Sequence, residues 1–162
     1  LVSVTSSDGL MYHGLNAIEL TDERIEEIRS NPSNQFCAHR NAYYSAALLL
    51  AYRLCGKEAY LETAVKGLSR IMEVFPNTMR AISETEELCR LMFPLSCLNQ
   101  VTGKSEHREW LYKVADRLEI YRYKNGGYTE VDPGYTAYRS RNGSKWCRFK
   151  LTCNTNTDTR TS

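Results

Sequence analysis

Apolar positions recur along this chain in two alternating patterns. In the stretch ALLLAYRL, ending at Leu54, they run nearly all the way round a helical projection, whereas Leu61, Ala64, Val65, Leu68, Ile71, Met72 and Phe75 recur at spacings of three and four. The first pattern predicts a helix buried on more than one side, the second a helix with one wet and one dry face. Gly56-Lys57 separates them, with the glycine placed as a C-terminal cap. The pair then repeats. An apolar helix opens at Ser83, with Glu86 three residues on as a capping box, and runs through Leu88, Leu91, Met92, Leu95 and Leu98 to Val101, with a kink expected at Pro94. Gly103-Lys104 follows, and Leu111, Val114, Ala115, Leu118 and Tyr121 mark another one-sided helix starting near Ser105. A shorter helix precedes both pairs, from an N-cap at Thr21 to a stop before Asn31-Pro32.

The two junction glycines lie 47 residues apart. That spacing suits a helical hairpin with its connecting loop and exceeds a tetratricopeptide unit of about 34 residues. The prediction is a mainly α protein built as an array of αα-hairpins, with inner helices touching neighbours on several sides and outer helices on one. After Lys124 the pattern changes. Asn142-Gly143 is a type I′ turn signal, and Cys147, Phe149, Leu151 and Cys153 alternate with polar residues, so a small β-hairpin excursion is expected within 126–153. A single domain over 1–153 is expected, followed by a disordered tail at 154–162 that holds no apolar residue.

Composition narrows this picture modestly. With 162 residues and 42% hydrophobic content the chain can bury one sizeable core. A formal net charge of +2 does not point to nucleic acid. The run from Arg139 to Lys150, with five basic and no acidic residues, is better read as a solvated strand face. No apolar stretch is long enough for a bilayer, so no membrane partner is expected. The six cysteines show no Cys-x-x-Cys spacing, and Cys55, Cys89 and Cys97 sit within apolar helical runs as small hydrophobes. A reduced, cytoplasmic protein is therefore expected, with Cys37, Cys147 and Cys153 least determined. His13 and His107 lack metal-like partners; neither a metal nor a cofactor is expected.

The repeated Gly-Lys junctions, the helices AYLETAVKGL and EWLYKVADRL that follow them, and the segment NGGYTEVDPGY together resemble the six-hairpin glycosidase superfamily over roughly Gln35 to Tyr138. The resemblance implies an (α/α)6 toroid of alternating inner and outer helices, of which only part fits in this length. Oligomerisation, as a homo-oligomer, or a missing remainder of a longer chain would then cover the apolar sides of the last helices. It also implies a carbohydrate substrate or ligand in a cleft lined by the loops entering the inner helices: Gln35 to Tyr44, Asn77 to Glu87, and Gly126 to Tyr138.

Glycoside hydrolysis needs one carboxylic acid and one carboxylate roughly 5 to 9.5 Å apart. Glu130, Glu84 and Glu87 are the candidates. Glu84 and Glu87 share a helix face, although acidic residues in a first turn also simply suit the helix dipole, and Glu86 is accounted for by the capping box. Glu130 and Asp132 point to one face of an expected strand, with Asp132 placed to form the turn at Pro133-Gly134. For substrate binding the candidates are His39, Arg40, Tyr43, Tyr128, Asp132 and Tyr135. Arg40 would pair a sugar carboxylate and a tyrosine ring would stack on a pyranose face; equally, His39 and Asn41 would cap the helix while the tyrosines pack between layers. Eleven tyrosines against four phenylalanines favour aromatics at a wet cleft. A non-catalytic hairpin module that binds a protein or ligand on its concave face is the competing reading.

Overall fold

The apolar patterns are realised as five helices, α1 (Asp22–Ser30), α2 (Ala38–Cys55), α3 (Glu58–Val74), α4 (Glu84–Thr102) and α5 (Ser105–Glu119). The computed structural model describes residues 5–12, 19–78 and 83–128. Glu130, Asp132 and Tyr135, the expected Asn142-Gly143 hairpin, Cys147, Cys153 and the tail at 154–162 lie outside them. Among the described residues there is no strand, only isolated antiparallel bridges, Thr5 with Met11 and Arg122 with Tyr128.

Both Gly-Lys junctions fold alike. Gly56 and Gly103 adopt left-handed backbones at φ 67° and 62°, and their N–H groups donate to Tyr52 O at 2.7 Å and Asn99 O at 2.9 Å. Each glycine supplies the one residue of positive φ that ends a helix and reverses the chain into the next. The helices on either side of each junction pack against each other, α2 on α3 and α4 on α5, antiparallel as so short a connection dictates. The central contact joins α2 and α4. These two run in the same direction: His39 at the start of α2 bonds to Glu87 at the start of α4, and Arg53 near the end of α2 acts electrostatically on Cys97 in the last third of α4.

Burial follows the two patterns. On α3 it is confined to one stripe, Ala64, Gly67, Leu68, Ile71 and Met72, while on α2 and α4 it spreads over more than half the circumference. Leu48, Leu49, Leu68, Ile71, Leu91, Leu95, Leu98 and Val114 form a continuous core across the four helices. Each fully buried side chain of this kind contributes about 1.5–3 kcal/mol. α4 is one helix through Pro94, whose missing N–H removes a rung of the hydrogen-bond ladder. Of the three helical cysteines read as small hydrophobes, only Cys97 is buried; Cys55 and Cys89 are exposed, while Cys37 is buried at the start of α2. All four are free thiols.

The N-terminal turn locks onto the first hairpin. Asp8 is buried, and its carboxylate accepts from Ser6 Oγ at 2.6 Å and from the backbone N–H groups of Ser33 at 3.1 Å and Asn34 at 2.9 Å. The turn approaches α3 through glycine on both sides: a Cβ on Gly67 would lie 2.4 Å from Gly9 O, and one on Gly9 would lie 2.6 Å from Gly67 N. No side chain fits between these two backbones.

Candidate functional site

Because α2 and α4 run side by side, their starts form one edge of the molecule. Five of the residues singled out in the sequence meet there: His39, Arg40 and Tyr43 from α2, Glu84 and Glu87 from α4. The local sequence explains how. α2 opens at Cys37, whose side chain makes no capping hydrogen bond. Glu87, 1% exposed, supplies the missing acceptor from the neighbouring helix: its Oε2 accepts from His39 N at 2.6 Å, with Cys37 Sγ 3.7 Å away. A carboxylate at this point also faces the positive end of the α2 dipole. Burial, and then the negative charge of Glu87, push the Cys37 thiol above its ordinary pKa, so the thiol stays protonated and is a poor nucleophile.

α4 needs no such help. Ser83 Oγ accepts from Glu86 N at 3.2 Å, the forward half of the expected capping box. The Oε2 of Glu86 is buried without a hydrogen-bond partner. Glu84, with a side chain only 6% exposed, accepts from Arg117 Nε at 2.6 Å. That bond raises the Arg117 pKa further above its ordinary value and ties the last turn of α5 to the first turn of α4. Glu84 and Glu87 thus share a helix face as the spacing implied, and both are buried and engaged.

The outer part of the edge is basic and aromatic. Tyr43 is 58% exposed, and the Arg90 guanidinium carbon lies 5.4 Å from its ring centroid. Arg90 also donates to His39 O at 3.5 Å. The Arg40 side chain, three residues before Tyr43 on the same helix, makes no hydrogen bond or ion pair with a described residue, its charge acting on the nearby Cys37 thiol, and His39 Nδ1 is buried without a partner. Asn41 turns inward, within α2 and not at its cap: its amide donates to Gln35 O and Cys37 O and accepts from Met11 N, so it ties the helix start to the N-terminal turn and, contrary to expectation, does not cap the helix. Tyr128 joins the α4–α5 side of the edge, donating to Glu119 Oε1 at 3.0 Å, with Cys89 of α4 near enough to act on it electrostatically.

Arg90 and Arg117 were not singled out from the sequence, and Cys37 only for its undetermined redox state. The one available signal was a cysteine where a Ser, Thr, Asp or Asn cap belongs, which requires an acceptor from elsewhere. Among the described residues no grouping of His, Cys, Asp and Glu could hold a metal ion. A separate polar depression of about 270 Å3 lies between the N-terminal turn, the end of α1 and α3, with Arg29, Glu62 and Lys66 on its walls. None of the described helices is long and apolar enough to cross a membrane.

The chain matches no family model, no curated protein and no solved structure.

Proposed function

We propose that this chain is a segment of a toroid of the six-hairpin type that binds carbohydrate at the edge where α2 and α4 begin. The observation that carries the reading is the parallel placement of α2 and α4, which gathers His39, Arg40, Tyr43 and Arg90 at one end. In a ring of this design α2 and α4 are inner helices and α3 and α5 outer ones, in keeping with their many-sided and one-sided burial. Tyr43 offers an exposed ring for a pyranose face, and Arg40 an uncommitted guanidinium. Glu84 and Glu87 act in this reading as braces of the edge, and Glu130 is left as the acid or base of any hydrolysis. Four free thiols support a reduced, cytoplasmic setting.

The test is isothermal titration of the chain with a panel of neutral and acidic oligosaccharides, run beside circular dichroism. Binding by the folded chain, weakened about tenfold or more by Tyr43→Ala, a loss of about 1.4 kcal/mol, is the expected result. A helical, cooperatively unfolding chain that binds no member of the panel overturns the reading. Release of reducing sugar, abolished in Glu130→Gln, would add hydrolysis to binding.

The second reading, a module that docks onto a further helical surface such as a second copy, is favoured by one observation. Tyr43, Ala47, Leu50 and Leu54 form an apolar stripe at spacings of four, three and four along α2, and all are exposed, Leu54 by 89%. Sedimentation of the wild-type chain and of Leu50→Glu/Leu54→Glu distinguishes the cases: self-association lost in the variant supports docking, and a monomer at all concentrations removes the homo-oligomer.

A further inference from the structure

The charges at this edge bear on which sugar it would take, an inference that rests on the carbohydrate reading above. Among its carboxylates, Glu84 is matched by Arg117 and Glu87 by the start of α2. Both are withdrawn from solvent. The third, Glu86, lies four residues before Arg90 on α4, yet no ion pair joins them, and its Oε2 is buried. Arg40 and Arg90 are left without a carboxylate partner among the described residues. One comes from the helix that carries Tyr43, three residues before it, and the other lies over the Tyr43 ring. A guanidinium stacked on an aromatic face keeps its N–H edge free to bind an anion.

We infer that the α2–α4 edge recognises an anionic sugar, a hexuronate unit, with the Tyr43 ring against the pyranose and Arg40 and Arg90 on the ligand carboxylate. A neutral sugar at this place would leave two arginines unmatched. A carboxylate gains charge-assisted hydrogen bonds from both, the stronger class of such bonds. The buried, unpartnered Nδ1 of His39 stands beside them, on the residue whose carbonyl oxygen Arg90 contacts.

The experiment compares tetragalacturonate with its fully methyl-esterified, uncharged form, titrated into the wild-type chain and into Arg40→Gln, Arg90→Gln and Tyr43→Ala. The acid is expected to bind about tenfold or more tightly than the ester, by an amount that shrinks with added salt. That gap should narrow in each arginine variant, while Tyr43→Ala weakens both ligands together. Arg40→Lys should restore part of the gap as a point charge. Equal binding of acid and ester overturns the charge selection and leaves carbohydrate binding standing. A gap unchanged in Arg40→Gln and Arg90→Gln overturns the assignment to these residues. Binding of neither ligand, together with none from the neutral panel, removes the carbohydrate reading and this inference with it. The Arg40 side chain makes no hydrogen bond or ion pair with a described residue, and Arg40→Gln leaves its backbone bond to Cys37 O in place, so this variant reads the outcome even if Arg90→Gln unfolds.

Discussion

The two hairpins share a backbone and differ in how each is held. At both junctions a left-handed glycine ends one helix and a lysine leads into the next. Around Gly103 the side chains form a bolt: Thr102 Oγ1 donates to Leu98 O at 2.9 Å and accepts from His107 Nδ1 at 2.6 Å, with His107 packed on Trp110. Around Gly56 the corresponding positions are Cys55 and Tyr60, and the polar contact there is a peripheral one from Tyr52 OH to Glu58 at 3.3 Å. The starts differ as well. α4 is capped by Ser83, its own neighbour in sequence, whereas α2 is capped by Glu87 from the other hairpin. The second hairpin is therefore self-sufficient at both ends, and the first depends on the second.

That dependence gives the largest expected effect. Glu87→Ala should destabilise the fold by about 3 kcal/mol, because it deletes a charge-assisted hydrogen bond and leaves the part-buried His39 N–H without its acceptor. Ser83→Ala removes the corresponding cap of α4 and should cost only about 1 kcal/mol, since the bond lost is a neutral hydroxyl cap and not one to a carboxylate. Urea denaturation of both variants measures the ratio. Equal costs would mean that α2 finds another cap and that the asymmetry between hairpins is superficial.

Next comes the attachment of the N-terminal turn, which has no counterpart on α5 among the described residues. Gly67→Ala places a methyl 2.4 Å from Gly9 O, a contact with backbone that cannot swing away. A loss of about 2 kcal/mol is expected, in the range for overpacking a closed contact. Hydrogen exchange should speed up at the N–H groups of Ser33 and Asn34, which the displaced Asp8 would release.

The junction glycines should respond alike, and that is their test. A Cβ at Gly56 or Gly103 meets nothing within 4 Å, so Gly→Ala at either costs only the left-handed backbone, about 1 kcal/mol. Thermal melts of the two single variants should agree within error. A markedly larger loss at Gly103 would show that the Thr102–His107 bolt depends on the backbone there.

The common part of the hairpins was legible in the sequence and the differing part was not, for a physical reason. Helix ends at Gly56 and Gly103, the caps at Thr21 and Ser83, and the contrast between many-sided and one-sided helices depend on residues close together in the chain, so local spacing reports them. The edge was legible in part of its membership: His39, Arg40, Tyr43, Glu84 and Glu87 were named from the resemblance and their place at helix starts, whereas Arg90 and Arg117 were not. Their connections were not, because Glu87 with His39 N, Glu84 with Arg117 and Arg90 with Tyr43 join residues 33 to 48 positions apart. Only the side-by-side placement of α2 and α4, and the return of α5, decides those pairs. Cys55 and Cys89 show the same limit, since each falls within an apolar run and yet points to solvent.

The smallest expected effect is a pH dependence confined to the second junction. Thr102 Oγ1 spends its proton on Leu98 O, so it accepts from His107, which must carry its proton on Nδ1. Burial, and then the charge of Lys104, hold the His107 pKa below the ordinary histidine value of 6.5, with Glu106 opposing weakly. The folded state thus favours the neutral ring, whereas the unfolded chain takes up a proton at the ordinary pKa. Stability from this group is complete above pH 6.5 and is lost as the pH falls toward the lower folded value. Asp8 adds nothing in that window. Burial alone would raise its pKa, but the hydrogen bonds from Ser6, Asn34, Ser33 and Leu10 outweigh burial and bring it below 3.8, so its contribution is lost only in stronger acid. The melting temperature should therefore fall between pH 7.5 and 5 in the wild type. It should fall less in His107→Gln, which is less stable at pH 7.5 but has no ring to protonate. Parallel pH profiles for the two proteins would show that the bolt tolerates a charged imidazole, and the contrast between the junctions would then be one of packing alone.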